Sequence, residues 1–194
     1  MQASLQSGWS AEYVTAAGQL ASLRELNLRF LDLAAAGGDS PARRAADLPP
    51  AARAAAADCP YALFDVRFHD EGHWNRRLQS PAGWRVADEP AASAAAVEFV
   101  ALALFYAWHV AGTAPLRAQL QLGMRERTVA AFARLTLNCL PDLAATQAAY
   151  LGARWQHCAA YWDALLAAAA SRRSHELRRV QLYGIQLAAA ARLA

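Results

Sequence analysis

Apolar positions along this chain recur mostly at intervals of three and four, and at intervals of two in a single stretch. Leu20, Leu23, Phe30 and Leu31 mark one face of a first helix, predicted from about Ser10 to Ala36. Ser10 stands as its N-cap, Trp9 and Val14 are spaced for a hydrophobic staple, and Gly37-Gly38 close it. Ser40-Pro41 reads as the cap and first residue of a short helix, which Pro49-Pro50 break before an alanine-rich turn or two to Asp58. The texture then changes. In residues 61–68, YALFDVRF, Ala62, Phe64, Val66 and Phe68 fall on one side, with Asp65 and Arg67 on the other. That alternation is the one strand signal in the chain. Residues 79–90 read as a surface loop.

The second half reads as helix throughout. A nearly apolar helix is predicted from about Ala91 to Ala111, stopped by Gly112. A short one follows from Pro115 to Leu122, closed by Gly123, and another from about Arg125 to Asn138. Pro141 opens a long helix to about Ala170, with Gly152 as its weak point. The last helix, roughly Ser174 to Leu193, carries Leu177, Val180, Gly184 and Leu187 along one stripe.

Composition sharpens this picture. The 194 residues suit one continuous core, and hydrophobic content of 56% is ample to fill it. Alanine supplies 51 residues, and it loses no side-chain entropy in a helix. The expected fold is all-α: an alanine-rich multi-helix bundle, at least two thirds helical, with at most one short strand pair near residues 61–68. Residues 1–80 form a first helical unit, 81–90 a linker, and 91–194 a second unit with a C-terminal helix.

The net charge of +3 is unevenly placed. Residues 1–97 carry 9 Arg against 11 acids, and residues 98–194 carry 10 Arg against 5. Arg172, Arg173, Arg178 and Arg179 crowd the start of the last helix and are the candidates for contact with phosphate or an acidic partner. Arg172 and Arg179, seven apart, share a face, while Arg173 and Arg178 point elsewhere. Two or three phosphate contacts release too few counterions for tight binding, so any DNA contact is expected to be weak, roughly 10⁻⁴ M or worse. Residues 94–110 have about the minimum length for a membrane span, but Glu98, His109 and the many alanines favour a buried core helix. The first ten residues carry neither a basic nor an apolar region of the secretory kind. A cytoplasmic protein without membrane contact is expected.

Several chemistries find little footing. Cys59, Cys139 and Cys158 stand at unrelated spacings, so no disulfide framework or zinc ribbon follows. His69 and His73 have the four-residue separation of a helical zinc pair, but Glu71 is one place late for a metalloprotease and Gly72 weakens a helix there. His157 and Cys158 are adjacent, and adjacent helical residues diverge too far for a thiol–imidazole dyad. Trp108, Trp155, Tyr161 and Trp162 have the spacing of a flat-ligand cage, which is also the spacing of core aromatics. No Gly-rich phosphate loop or nucleophile elbow is present. The expectation is no enzyme, no cofactor and no metal.

The two halves resemble each other. Tyr61 aligns with Tyr150, Arg67-Phe68 with Arg154-Trp155, and Trp74 with Trp162, at separations of 87 to 89 residues. The front ends align nearer 77, so the second copy holds about ten extra residues around LRAQLQLGMRER. Each copy is similar to the FlhD family, the D subunit of the flagellar master transcriptional activator. The first copy carries the resemblance in Glu25-Leu26-Asn27-Leu28-Arg29-Phe30-Leu31-Asp32-Leu33-Ala34 and Val66-Arg67-Phe68-His69-Asp70. The second carries it in Leu120-Gln121-Leu122-Gly123-Met124, Leu135-Thr136-Leu137 and Leu143-Ala144. Leu120-Gln121 stand where the family has Phe-Arg, and the first copy has no counterpart of this segment. Phe64 and Leu151 stand where the family has a cysteine ahead of its Arg-Phe, so an intersubunit disulfide of that kind is not implied. The resemblance implies a fused, pseudo-two-fold dimer that regulates transcription through a protein partner such as a C-subunit-like regulator. A chaperone-like helical adaptor of a secretion or motility apparatus is the alternative. A small-molecule pocket between alanine-lined helices is a third reading.

Overall fold

The computed structural model describes residues 2–36, 40–79, 92–171 and 173–193, and the side chains within them except those of 2–16 and 192–193. The predicted linker, 81–90, lies outside the described residues, as does Arg172. Helix accounts for 77% of the chain, and the described residues hold a single two-stranded sheet, so the all-α expectation holds.

Helix α1 spans Gln2–Ala35 and begins eight residues ahead of the expected Ser10 cap, because nothing in Gln2–Trp9 except Gly8 opposes helix. A 3₁₀ helix, Pro41–Asp47, follows, capped by Ser40, whose Oγ accepts from the Ala42 N–H. Next come α2 (Pro50–Ala57), strand β1 (Phe64–Asp65) and α3 (Glu71–Gln79). The expected strand is real but only its centre is paired, and Ala62, Phe64, Val66 and Phe68 are all fully buried as their alternation required.

In the second half, α4 (Ala94–Thr113) is capped by Ser93 and runs past Gly112 to the break at Pro115. It is long and apolar enough to cross a bilayer, yet it packs here against α1, α5, α6 and α7. Helices α5 (Pro115–Leu122) and α6 (Glu126–Phe132) follow, the latter ending six residues short of the expected Asn138. The long helix expected from Pro141 to Ala170 does not form. It is divided into α7 (Leu140–Gln147), a 3₁₀ turn at Ala148–Tyr150, strand β2 (Gly152–Ala153) and α8 (Ala159–Ser171). The reason is tertiary: β2 pairs antiparallel with β1, Phe64 opposite Ala153 and Asp65 opposite Gly152. The Arg154 N–H adds a bond to the Leu63 carbonyl at 2.9 Å. Helix α9 (Ser174–Leu193) closes the chain along α8.

One apolar core runs through both halves, from Leu23 and Phe30 of α1 to Trp162 and Leu165 of α8. Its anchor is Asn27, fully buried on α1. Asn27 donates from Nδ2 to the carbonyls of Ala57 (3.1 Å) and Tyr61 (2.9 Å), and its Oδ1 accepts from the Leu63 N–H (2.8 Å). A single side chain thus satisfies three backbone groups of the segment that delivers β1.

Candidate functional site

The strand pair opens onto a cleft of about 780 Å³, lined by Asp65, Arg67, His69 and Asp70 on one side and by Leu122, Gly123, Arg125 and residues 149–157 on the other. Ala188 and Ala191 of α9 complete the rim. Two non-glycine residues at this cleft hold left-handed backbone, Arg67 (φ 59°) and Trp155 (φ 52°). Each such residue costs about 1–3 kcal/mol, and such strain concentrates at functional sites. The strain is held by two buried tryptophans: Trp74 donates from Nε1 to the Arg67 carbonyl (2.9 Å), and Trp162 to the Arg154 carbonyl (3.0 Å).

Three arginines reach this space. Arg67 is exposed and lays its guanidinium 4.1 Å over the Tyr150 ring centroid. Arg125 lines the opposite side. Arg154, only 7% exposed, sends Nη1 to the Gln121 carbonyl (2.7 Å) and stacks 4.6 Å over Trp155. Its Nη2 fills the space beside Gly123, where a Cβ would come within 2.7 Å, and Gly123 is itself a left-handed helix cap at φ 74°. No carboxylate of the described residues lies within ion-pair distance of Arg154, and burial depresses its pKa.

His69 and His73, which share the spacing of a helical zinc pair, go to different partners. Asp70 receives the His73 N–H (2.8 Å) and so starts α3, a helix the sequence pattern did not predict. His73 is buried in α3 and bonded through Nε2 to Gln147 Oε1 (2.7 Å). His69, in the turn before α3, pairs through Nδ1 with Asp65 Oδ2 (2.8 Å). The described residues hold no group of three metal-ligating side chains.

The Asp65 hydrogen bond raises the His69 pKa above 6.5, while desolvation by burial lowers that of His73. The stability from His69 is therefore full below about 6.5 and lost as pH rises through its raised value. For His73 the slope reverses: stability is full above about 6.5 and lost as pH falls through its lowered value. In an NMR titration the His69 ring should titrate above 6.5 and the His73 ring below it. Two coincident transitions at 6.5 would contradict the His69–Asp65 bond and the burial of His73.

The four aromatics suggested as a cage are not one group. Tyr161 and Trp162 are core residues, and Trp108 donates to the Leu135 carbonyl at 2.9 Å. Trp155 alone lines the cleft. Cys59 is buried, its thiol pushed up to about 12 chiefly by that burial, as expected of a core filler. Cys139 is half-buried, packed against the edge of the core with its thiol donating to the Thr136 carbonyl. His157 lies by Gln156, whereas the Cys158 thiol faces the Tyr183 hydroxyl, so the two make no dyad.

Of the expected contact arginines, Arg173 is paired with Glu176 at 3.0 Å. Arg178 and Arg179 are exposed, and Arg179 borders a separate groove between α8 and α9. None of the three lines the cleft. The residues that do, Arg154 above all, carried no mark in the sequence except alignment with Arg67. An apolar recess of about 280 Å³ lies nearby between α1, α5 and α9, lined by Leu20, Pro60, Tyr61, Leu120, Ile185 and the rim residue Arg117. No family model, no curated protein and no solved structure matches this chain.

Proposed function

We propose that the chain is a non-enzymatic, cytoplasmic helical adaptor in transcriptional regulation of the motility type. In this reading it is a single-chain counterpart of an FlhD-type dimer that acts through a C-subunit-like protein partner. The register of the strand pair carries the reading. A two-fold axis through β1 and β2 exchanges Phe64 with Gly152 and Asp65 with Ala153. The same step along the chain takes Arg67 to Trp155, the two left-handed residues, one position out of register with the sequence alignment of Arg67 with Arg154. It takes Trp74 to Trp162, which bond the Arg67 and, one residue out of step, the Arg154 carbonyl. It also takes Glu71, the first residue of α3, to Ala159, the first of α8. The order long helix, helix, strand, helix also recurs, as α1, α2, β1 and α3 and as α4, α7, β2 and α8, although the second half inserts α5, α6 and two 3₁₀ turns at 137–139 and 148–150.

The recess between α1, α5 and α9 supplies the partner's seat. Leu20 (45%), Leu120 (45%) and Ile185 (43%) are exposed there, while Arg173, just ahead of α9, is paired with Glu176 and Arg179 borders a different groove. An apolar seat of this kind fits a protein better than a duplex. Titration of a C-subunit-type regulator from the same organism tests this. Leu120→Asp and Ile185→Asp should each weaken binding about 30-fold or more, the range of a buried anchor. Arg178→Ala and Arg179→Ala should stay within about tenfold, because rim charges act mainly on association rate. Nanomolar, sequence-selective binding of promoter DNA by the chain alone would overturn the adaptor reading.

A further inference from the structure

Arg154 presents a problem that its structural contacts leave unsolved. Its guanidinium is nine-tenths buried and offers five N–H donors, of which one direction is used, Nη1 to the Gln121 carbonyl. Nε and Nη2, the pair that grips an oxyanion side-on, have no hydrogen-bond partner among the described residues, yet they are not sealed in, since Thr128 Oγ1 is the one fully buried side-chain N or O atom among those residues without a partner. A buried cation without a counter-charge within ion-pair distance is costly. Asp65, the nearest source of negative field, is committed to the Phe68 N–H and to His69. The strand end, the strained Trp155 backbone and the missing Cβ of Gly123 together fix the guanidinium where it borders the cleft.

We propose that this cleft binds a small, flat-bodied molecule bearing a phosphate or carboxylate group. The oxyanion sits on the Nε–Nη2 edge of Arg154, and the body lies against the Trp155 ring, with Arg67 adding a second cation at the mouth. The cleft, about 780 Å³, is of the size that takes a mononucleotide-sized ligand. Burial of Arg154 argues against a macromolecule. A duplex or a peptide chain meets exposed arginines, whereas this one is reached only by a group that enters the recess. The cleft's Arg154 and Trp155 lie outside the apolar recess proposed as the partner's seat, although Ala188 borders both, so loss of anion binding and loss of partner binding are read separately.

The test uses the full chain and four probes: adenosine 5′-monophosphate, benzoate, adenosine and inorganic phosphate. At least one flat anion should bind saturably with a Kd at or below about 1 mM and raise the melting temperature. It should shift the Arg154 Nε–H and Trp155 Nε1–H resonances in wild-type protein. Adenosine should bind at least tenfold more weakly than its monophosphate, and phosphate more weakly than the flat anions. Arg154→Met should lower affinity at least tenfold, and Arg154→Lys, which keeps the charge but not the fork, should not restore it. If Arg154→Met does not fold, Arg67→Gln, an exposed position, should still weaken binding about threefold or more, and the wild-type resonances still report the site. The proposal is overturned if neither flat anion binds by about 5 mM, if adenosine binds as well as its monophosphate, or if the two resonances stay fixed while binding occurs.

Discussion

Replacing Asn27 by leucine is expected to remove roughly 3–6 kcal/mol of folding stability. The side chain is wholly buried and makes three hydrogen bonds to backbone groups of one segment. Leucine fills similar space but leaves the Ala57 and Tyr61 carbonyls and the Leu63 N–H without this partner, at about 1–3 kcal/mol each. Against the 5–15 kcal/mol that holds a typical domain, a loss of that size leaves a marginal fold. Asn27→Asp is a sharper probe. It keeps the acceptor for Leu63 but turns a carboxylate toward two carbonyl oxygens, so its penalty should grow as pH rises through the carboxylate range. Urea unfolding of both variants measures this, and a change below about 1 kcal/mol for the leucine variant would refute the anchor.

The second large effect is expected at Gly184, where α9 rests on Tyr61. A Cβ there would stand 2.0 Å from the Tyr61 hydroxyl oxygen and 2.2 Å from Cζ. Tyr61 cannot retreat: it is buried, its hydroxyl accepts from Tyr161, and its ring packs edge-on against Trp155. In Gly184→Ala the helix must move instead, at about 3 kcal/mol, the upper part of the usual range for overpacking. Because α9 is held mainly by α8, its displacement should leave the rest of the core in place. Faster proteolysis within α9, with near-normal protection of α1 and α4 in hydrogen exchange, is the expected signature. Uniform loss of protection would show that α9 belongs to the central cooperative unit.

Much of this architecture is written in short-range punctuation. Pro115 and Gly123 bracket α5, Pro50 starts α2, and the Phe64–Phe68 alternation marks the buried strand, since each acts on its own backbone. What the sequence hides depends on distant partners. Tyr150 to Cys158 lies in an alanine-rich stretch that reads as helix, and it is turned out of helix by pairing with a strand from the other half. The left-handed backbone of Trp155 has no glycine to announce it. Helix α3 is hidden by Gly72 and a polar run, and its start depends on Asp70 serving as cap. Arg154 looks like any arginine on a helix face until the fold buries it. The alignment of Arg154 with Arg67 was the one local hint of the cleft.

The pairing of β1 with β2 has a consequence for how the molecule is made. Synthesis at about 5–20 residues per second leaves β1 waiting roughly 5–20 s for its partner to emerge. Asn27 grips the 57–63 segment from a helix already complete, so this segment has a local tether during the delay. The edge of β1 has none until the later half arrives, and closing so long a loop comes late in folding. Nascent chains stalled before β2 should therefore expose the Phe64 edge to chaperones, and release from them should coincide with the emergence of residues 152–171.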